Sequence, residues 1–161
     1  MDVLDDDLLR FWKLLHDNKV KYIMIGGFAV NLHGFHRTTN DVDIWIENTI
    51  QNRKALGKVL EQFSYTDIDW EKIDLIPGWT NFCIGSDLFL DIIIEMKGLE
   101  NYTFEDCFQM ASEAEIEQIP IPFLHLNHLI QNKKITNRPK DKIDVIELEH
   151  IQKIRESLNL D

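Results

Sequence analysis

Cysteine, proline, glycine and long apolar runs are all scarce in this sequence, and so is positive charge. The two cysteines, Cys83 and Cys107, match no metal-ligand or redox spacing and read as reduced thiols with no disulfide between them. Seven glycines and four prolines, three of them late (Pro120, Pro122, Pro139), give no flexible linker, and no repeat or low-complexity tract appears. The longest apolar run, around Leu88 to Ile94, is far short of the roughly 20 residues a membrane span needs. The opening MDVLDDDLLR lacks the basic and apolar regions of a signal peptide. These absences predict a cytoplasmic chain that forms a single domain over residues 1–161.

Lys and Arg number 17 against 28 Asp and Glu, a formal charge of −11. Such a chain repels phosphate backbones, so generic nucleic-acid binding is disfavoured. The exception is local: in Lys133 to Lys142 (KKITNRPKDK) five basic residues face one acid.

What is present is a 44% hydrophobic, 28% charged chain, enough for one real core. An Asp cluster followed by Leu8, Phe11, Trp12 and Leu15 predicts a helix from Asp6 or Asp7 to Asp17, stopping at Asn18. Val20 to Ile25 reads as a buried central strand, ended by Gly26-Gly27, with a short helix following and closed by Gly34. Asp41 to Ile46 (DVDIWI) alternates as a second strand. Asn48 is expected to cap a helix whose stripe is Ile50, Leu56, Val59, Leu60 and Phe63. After a polar, tryptophan-bearing loop through Pro77-Gly78, Thr80 to Ile84 and Leu88 to Glu95 are spaced as a hairpin. A short helix over Phe104 to Ala111, an extended proline-containing stretch near Ile116 to Pro122, and helices over Leu126 to Lys134 and Asp141 to Ser157 complete the reading. In the last helix Ile143, Ile146, Leu148, Ile151 and Ile154 are taken as the apolar stripe. The fold class is α/β or α+β: a small mixed sheet with flanking helices, its core at about 20–96 and a C-terminal helical part at about 103–161.

The stretch Gly26 to Trp45 (GGFAVNLHGFHRTTNDVDIW) carries the chemistry. Two glycines after a buried strand allow positive φ and close approach to the backbone. The helix that follows aims free amides, worth about half a positive charge, at the same spot. Asp41 and Asp43, alternate residues on a strand, project from one face about 6.7 Å apart along the chain. Carboxylates so close resist joint ionisation unless a cation compensates, and magnesium prefers such oxygen ligands. A third carboxylate is expected on a neighbouring strand. Asp91, which interrupts the apolar FLDIIIEM, is the candidate, whereas Glu95 lies at that strand's far end and reads as solvated.

Gly26-Gly27, His33-Gly34, Arg37, Thr39, Asp41-x-Asp43-Ile44 and the later Asp91 resemble the DNA polymerase β-like nucleotidyltransferase superfamily. Within it the chain is similar to small stand-alone bacterial and archaeal nucleotidyltransferases, including the toxin type of abortive-infection systems. Those proteins often carry a late signature matched here by Lys133, Arg138, Lys140-Asp141 and Asp144, so the resemblance covers most of Tyr22 to Leu148.

The resemblance implies transfer of a nucleoside monophosphate from an NTP to an acceptor hydroxyl or phosphate, with pyrophosphate leaving. It implies two magnesium ions held by Asp41, Asp43 and Asp91, and contacts to the nucleotide from Gly26, Gly27, His33, Arg37, Thr39, Lys133, Arg138 and Lys140. The tail basics have a second reading as a solvated, helix-flanking patch. Ala29, Val30 and Asn31 depart from the Val-Arg-Asp that follows the glycine pair in CCA-adding enzymes, and the chain lacks the tRNA-binding body of those enzymes and the template-holding domains of polymerases. Antibiotic-modifying relatives stay open, and the acceptor is RNA, protein or a small molecule. The alternative from another class is a catalytically silent module of the same fold that binds a protein partner, as in a toxin-antitoxin pair.

His33 and His36 flank the glycine of the motif, with packing as the commoner outcome; His125 and His128, three apart without a third ligand, make no zinc site. Trp12, Trp45, Trp70 and Trp79 read as core or rim aromatics, and Trp79 beside Pro77-Gly78 stands where an acceptor pocket would have its border.

Overall fold

A computed structural model describes residues 5–160, so the first four residues of the stretch read for a leader lie outside it. Helix α1 (Asp6–Asp17) starts where Asp5 accepts hydrogen bonds from the amides of Asp7 and Leu8, with acids in its first turn facing the positive helix end. Its inner face, Leu8, Phe11, Trp12 and Leu15, is fully buried. The four residues of β1 (Tyr22–Ile25) are buried on both faces, which explains why that run does not alternate. Helix α2 (Gly26–His33) follows without a linker and stops at Gly34, whose φ of +121° closes it.

Strand β2 (Asp41–Ile46) matches the expected span, and α3 (Ile50–Glu61) follows. Thr49 rather than Asn48 caps α3, its hydroxyl accepting from the Asn52 amide, while the Asn48 side chain accepts from Arg53 Nε at 2.7 Å. Of the stripe expected on α3, Leu56, Val59 and Leu60 are buried and Phe63 packs against the core, but Ile50 in the first turn is exposed.

The hairpin is β3 (Asn81–Cys83) and β4 (Phe89–Ile93), and α4 (Phe104–Met110) begins in a capping box of Thr103 and Asp106. The proline-containing stretch is two strands, β5 (Ser112–Ile116) and β6 (Ile119–Phe123), paired antiparallel around Glu117 and Gln118, both with positive φ. Helices α5 (Leu126–Thr136) and α6 (Pro139–Ser157) end the chain, with Asn137 left-handed between them and Pro139 in the first turn of α6.

The six strands form one mixed sheet in the order β3-β4-β2-β1-β6-β5. The β5-β6 hairpin extends the sheet by a parallel contact of β6 with β1, Met24 opposite Phe123, so the C-terminal part contributes strands as well as helices. In α6 the expected stripe is a mixture. Leu148 is buried and Ile151 packs on the core, but Ile143, Ile146 and Ile154 are exposed, and the inner face is made instead by Asp141, Asp144 and Leu148. Those two buried carboxylates belong to the site.

Candidate active site

The register of three strands assembles the acidic side chains. Strand β1 runs antiparallel to β2 with Ile25 opposite Asp43, which brings the carboxylate to the end of β1 where the glycines start. Strand β4 runs parallel to β2 with Asp43 opposite Asp91 and Asp41 opposite Phe89. Paired residues of neighbouring strands share a face, and so do alternate residues of one strand. Asp41, Asp43 and Asp91 therefore stand on one face of two adjacent central strands.

Gly26, at φ +68°, has the Asp43 carboxylate lying directly on its α-carbon, in the space any Cβ would need. A Cβ on Gly27 would come within 2.9 Å of Thr39 Oγ1 and 3.2 Å of Arg37 Nη1. The glycine corner thus seats the three site side chains that fold back from β2 and the segment before it, rather than standing bare.

Electrostatics mark Asp43 as the strained member. Burial, then the charges of Asp91 and Asp41, push its carboxyl up to about 6, against the opposing pull of Lys133 and Lys140. Burial also raises Asp91, where the Gly78 amide works the other way. That amide donates to the two Asp91 oxygens at 3.1 and 3.4 Å. Among the described residues no group of three or more His, Cys, Asp or Glu is already arranged to hold a metal ion. The donor chemistry nonetheless fits a hard divalent cation: all three groups are carboxylates, and the repulsion that raises Asp43 is what a cation relieves.

The positive wall is a network between α5, α6 and the segment before β2. Arg37 forks onto Asp144, Nε to Oδ1 at 2.8 Å and Nη2 to Oδ2 at 2.9 Å. Lys133 Nζ lies 3.0 Å from Asp144 and 3.3 Å from Asp141, with its side chain 4% exposed and both carboxylates fully buried. Arg138 clasps Asp141 from Nε at 2.7 Å and Nη2 at 3.1 Å, and Thr136 donates at 2.8 Å. Burial acts to raise the Asp141 carboxyl, but the bonds from Arg138 and Thr136 and the charge of Lys133 outweigh it and hold it well below the usual range.

The five charged members carry three positive and two negative charges, so a net positive charge of one stands beside the acidic trio. Lys140 makes no ion pair among the described residues and joins Arg37, Thr38, Thr39, Asn40, Asp41, Asp87 and Phe89 around an open cavity of about 700 Å³.

Of the residues expected at the nucleotide, Gly26, Gly27, Arg37, Thr39 and Lys140 meet at this corner. Lys133 is buried between two carboxylates, neither a solvated patch nor an open contact, and Arg138 braces Asp141. His33 is elsewhere: it is 4% exposed, its Nε2 lies 2.7 Å from the Leu124 carbonyl, and its ring packs on Phe123. The ring ties α2 to the segment after β6 and is not among the residues lining the cavity. Glu95 is exposed just past β4. Sequence reasoning passed over Phe89, Asn40 and Asp87. Asp91 was selected because it interrupts an apolar strand; the period of two along that strand also places Phe89 on its face, and that signal was available.

A mixed sheet whose first strand ends in a glycine pair at a helix start, with carboxylates from the next two strands converging there, is the nucleotidyltransferase fold. Residues 6–159 match the family described as "Nucleotidyltransferase of unknown function (DUF6036)", and the chain belongs to that family. Among solved structures it is similar to the lincosamide antibiotic adenylyltransferase LnuA, lincomycin-bound, with a TM-score of 0.63 and 20% identity over 94% of this chain and 99% of that one. It is also similar to ANT(2″)-Ia in complex with adenylyl-2″-tobramycin, with a TM-score of 0.58 and 17% identity over 94% of each chain. No curated protein sequence matches the chain.

Proposed function

We propose that this nucleotidyltransferase moves a nucleoside monophosphate from an NTP to a hydroxyl of a small-molecule acceptor, and that it depends on magnesium. The observation that carries the reading is the register pairing of Asp43 with Asp91 on adjacent parallel strands, beside Asp41 and against Gly26. Structural relatives that are antibiotic adenylyltransferases support the small-molecule class of acceptor. Asp41, Asp43 and Asp91 would hold magnesium, which supplies charge neutralisation for the polyphosphate and for the reacting oxygens.

The chain's own residues supply the rest. Arg37, held in place by its fork on Asp144, and the exposed Lys140 offer positive charge to the phosphates from the cavity side. Thr39 and the α2 amides supply donors at the glycine corner. Asp91, half-buried and with a raised pKa, is placed to accept the acceptor's proton. In the reaction the hydroxyl oxygen bonds to the α-phosphorus, the bond from that phosphorus to the bridging oxygen breaks, pyrophosphate leaves, and the proton goes to the Asp91 carboxylate. Among the described residues no helix is long and apolar enough to cross a membrane, and action in the cytoplasm is part of this proposal.

A second reading, a module that binds a protein partner, is favoured by one observation: Ile143, Ile146 and Ile154 lie exposed along α6. Calorimetry with each NTP and magnesium, on the wild type and Asp43→Ala, separates the two. The transferase reading expects magnesium-dependent binding of an NTP that the variant loses; no binding of any NTP, or equal binding by both proteins, overturns it.

A further inference from the structure

The face that carries the acidic trio runs on past the carboxylates to the edge of the sheet. Strand β3 pairs with β4 so that Asn81 stands opposite Asp91 and Cys83 opposite Phe89. With β2 on the other side of β4, two rows cross the sheet on one face, Asp43-Asp91-Asn81 and Asp41-Phe89-Cys83. The intervening Val42, Leu90 and Phe82 point to the opposite face and are buried, and there Phe82 stacks on Trp70. Because β3 is an edge strand, the two rows end at Asn81 and Cys83, both exposed.

Phe89 is the odd member of its kind. Of the nine phenylalanines four are buried and four pack against the core, whereas Phe89 is 46% exposed and lines the cavity with Asp41. Among the described residues the Asn81 side chain makes no hydrogen bond. Its amide, with two donors and an acceptor to offer, stands one strand across from the Asp91 carboxylate, at a pairing distance of about 5 Å between Cβ atoms. Trp79, the aromatic expected at the border of an acceptor pocket, is not among the residues lining the cavity.

In-line displacement decides which substrate meets this surface, since the attacking and leaving oxygens stand on opposite sides of the α-phosphorus. The leaving pyrophosphate belongs to the glycine corner and to Arg37 and Lys140, on the β1 and α6 side of the carboxylates. The attacking oxygen then comes from the β4 and β3 side, where Asp91 stands to take its proton. Neither β3 nor β4 contains a lysine or arginine. An anion approaching there meets Asp41, Asp87 and Asp91 with no base to receive it.

We propose that Phe89 and Asn81 seat the acceptor: an apolar face of the acceptor lies on the Phe89 ring, a polar group of it bonds the Asn81 amide, and its hydroxyl points at Asp91 beside them both. The class that fits is an unphosphorylated hydroxyl compound with an apolar face, not RNA or another phosphate-bearing acceptor. This rests on the transferase reading and adds to it the residues that seat the second substrate.

The test gives the full chain magnesium, NTPs labelled at the α-phosphate, and the low-molecular-mass fraction of a cell extract resolved beforehand by anion exchange into unretained and retained pools, with RNA in parallel. Label is expected to move to the unretained pool. Phe89→Ala and Asn81→Ala are each expected to lower transfer about tenfold at limiting pool concentration, with recovery at saturation, and Phe89→Tyr to keep most of it. Because both side chains are exposed, melting temperature and magnesium-NTP binding are expected to match wild type in all three variants. Cys83 supplies a second arm. Its thiol donates to the Gly85 carbonyl at 2.8 Å, so it borders the seat without serving it, and Cys107 is buried. N-ethylmaleimide is expected to mark Cys83 and block transfer while magnesium-NTP binding persists, and Cys83→Ser to transfer equally before and after treatment.

Label entering the retained pool or RNA overturns the acceptor class. Wild-type transfer by either alanine variant or by the maleimide-marked protein overturns the seat and leaves the transferase reading standing. So does a loss of magnesium-NTP binding in Phe89→Ala, which makes the ring a nucleotide contact. No transfer by the wild type to any fraction overturns that reading, and this inference falls with it.

Discussion

At the residue scale, Asp43 occupies a position that penalises its own charge, being desolvated and flanked by Asp91 and Asp41. In Asp43→Asn the shape is kept and the repulsion removed. The metal-free variant is expected to be more stable than wild type by about 2 kcal/mol, a rise of several degrees in melting temperature, while transfer is abolished. A melting temperature that falls or stays level sinks the claim that charge at this position is costly. Gly26→Ala acts in the opposite direction. A methyl group at φ +68° has to enter the space held by the Asp43 carboxylate, so thermal melting is expected to show a loss of about 2 kcal/mol or more along with lost activity.

His33 gives a pH signature. Burial is the main cause of its fall to about 4, with Arg155 and His125 adding to it and the Leu124 carbonyl opposing. Between about 4 and the unfolded value near 6.5 the unfolded chain binds the extra proton, so stability rises with pH in that window and is lost as pH falls through it. His33→Gln lacks the titration but can still donate to Leu124. The wild-type minus variant stability difference, from denaturant melts, is expected to become less favourable to wild type by about 3 kcal/mol from pH 7 to pH 4. A flat difference means that His33 titrates as it does in the unfolded chain.

At the element scale, local signals decided most of what could be read, and failures came where tertiary context overrode them. Strand β2 and helix α1 were legible because alternation and an Asp cap are local. The β5-β6 hairpin was read as one extended stretch because its turn uses Glu117 and Gln118 at positive φ where asparagine and glycine are the usual signal, and because Pro120 and Pro122 argue against a paired strand. In α6 the isoleucines kept helical spacing but the buried face is built on two aspartates, since their charges are matched by Arg37 from a distant part of the chain and by Lys133 and Arg138 from the adjoining α5 and turn.

Propensity and packing conflict at Gly57 in α3, where a Cβ would stand 2.5 Å from Trp70 Cδ1 and 2.8 Å from Nε1. Alanine is a better helix former than glycine by about 1 kcal/mol, yet Gly57→Ala has to displace a buried indole that stacks on Phe82. A net loss of about 1–2 kcal/mol is expected in chemical denaturation. A net gain means that Trp70 moves freely and its packing is not specific.

At the scale of the whole molecule, the acidic half of the site was readable from Asp41-x-Asp43, by strand periodicity, and from an acid inside an apolar strand, by the cost of burying its charge uncompensated. The residues of the positive half were named through the resemblance, but their pairing was not readable, since Arg37 and Asp144 lie far apart in sequence and meet only when α6 packs against α2. That pairing makes Asp144 the brace between the C-terminal helices and the corner where Gly27 receives Arg37 and Thr39. Asp144→Asn keeps volume and removes the charge that Arg37 and Lys133 share. Breaking one partner of a buried ion pair costs about 3–5 kcal/mol, most of it from the charge left behind. Stability is expected to fall by that order, and transfer to fall with it as Arg37 loses its orientation.

A double-mutant cycle with Arg37→Met separates a brace from two independent defects. The two substitutions together are expected to cost less than their sum by about 1.5 kcal/mol or more, because Arg37 is no longer present to be orphaned. Strict additivity in the denaturation free energies means that the fork seen here contributes nothing to holding α6 against the site.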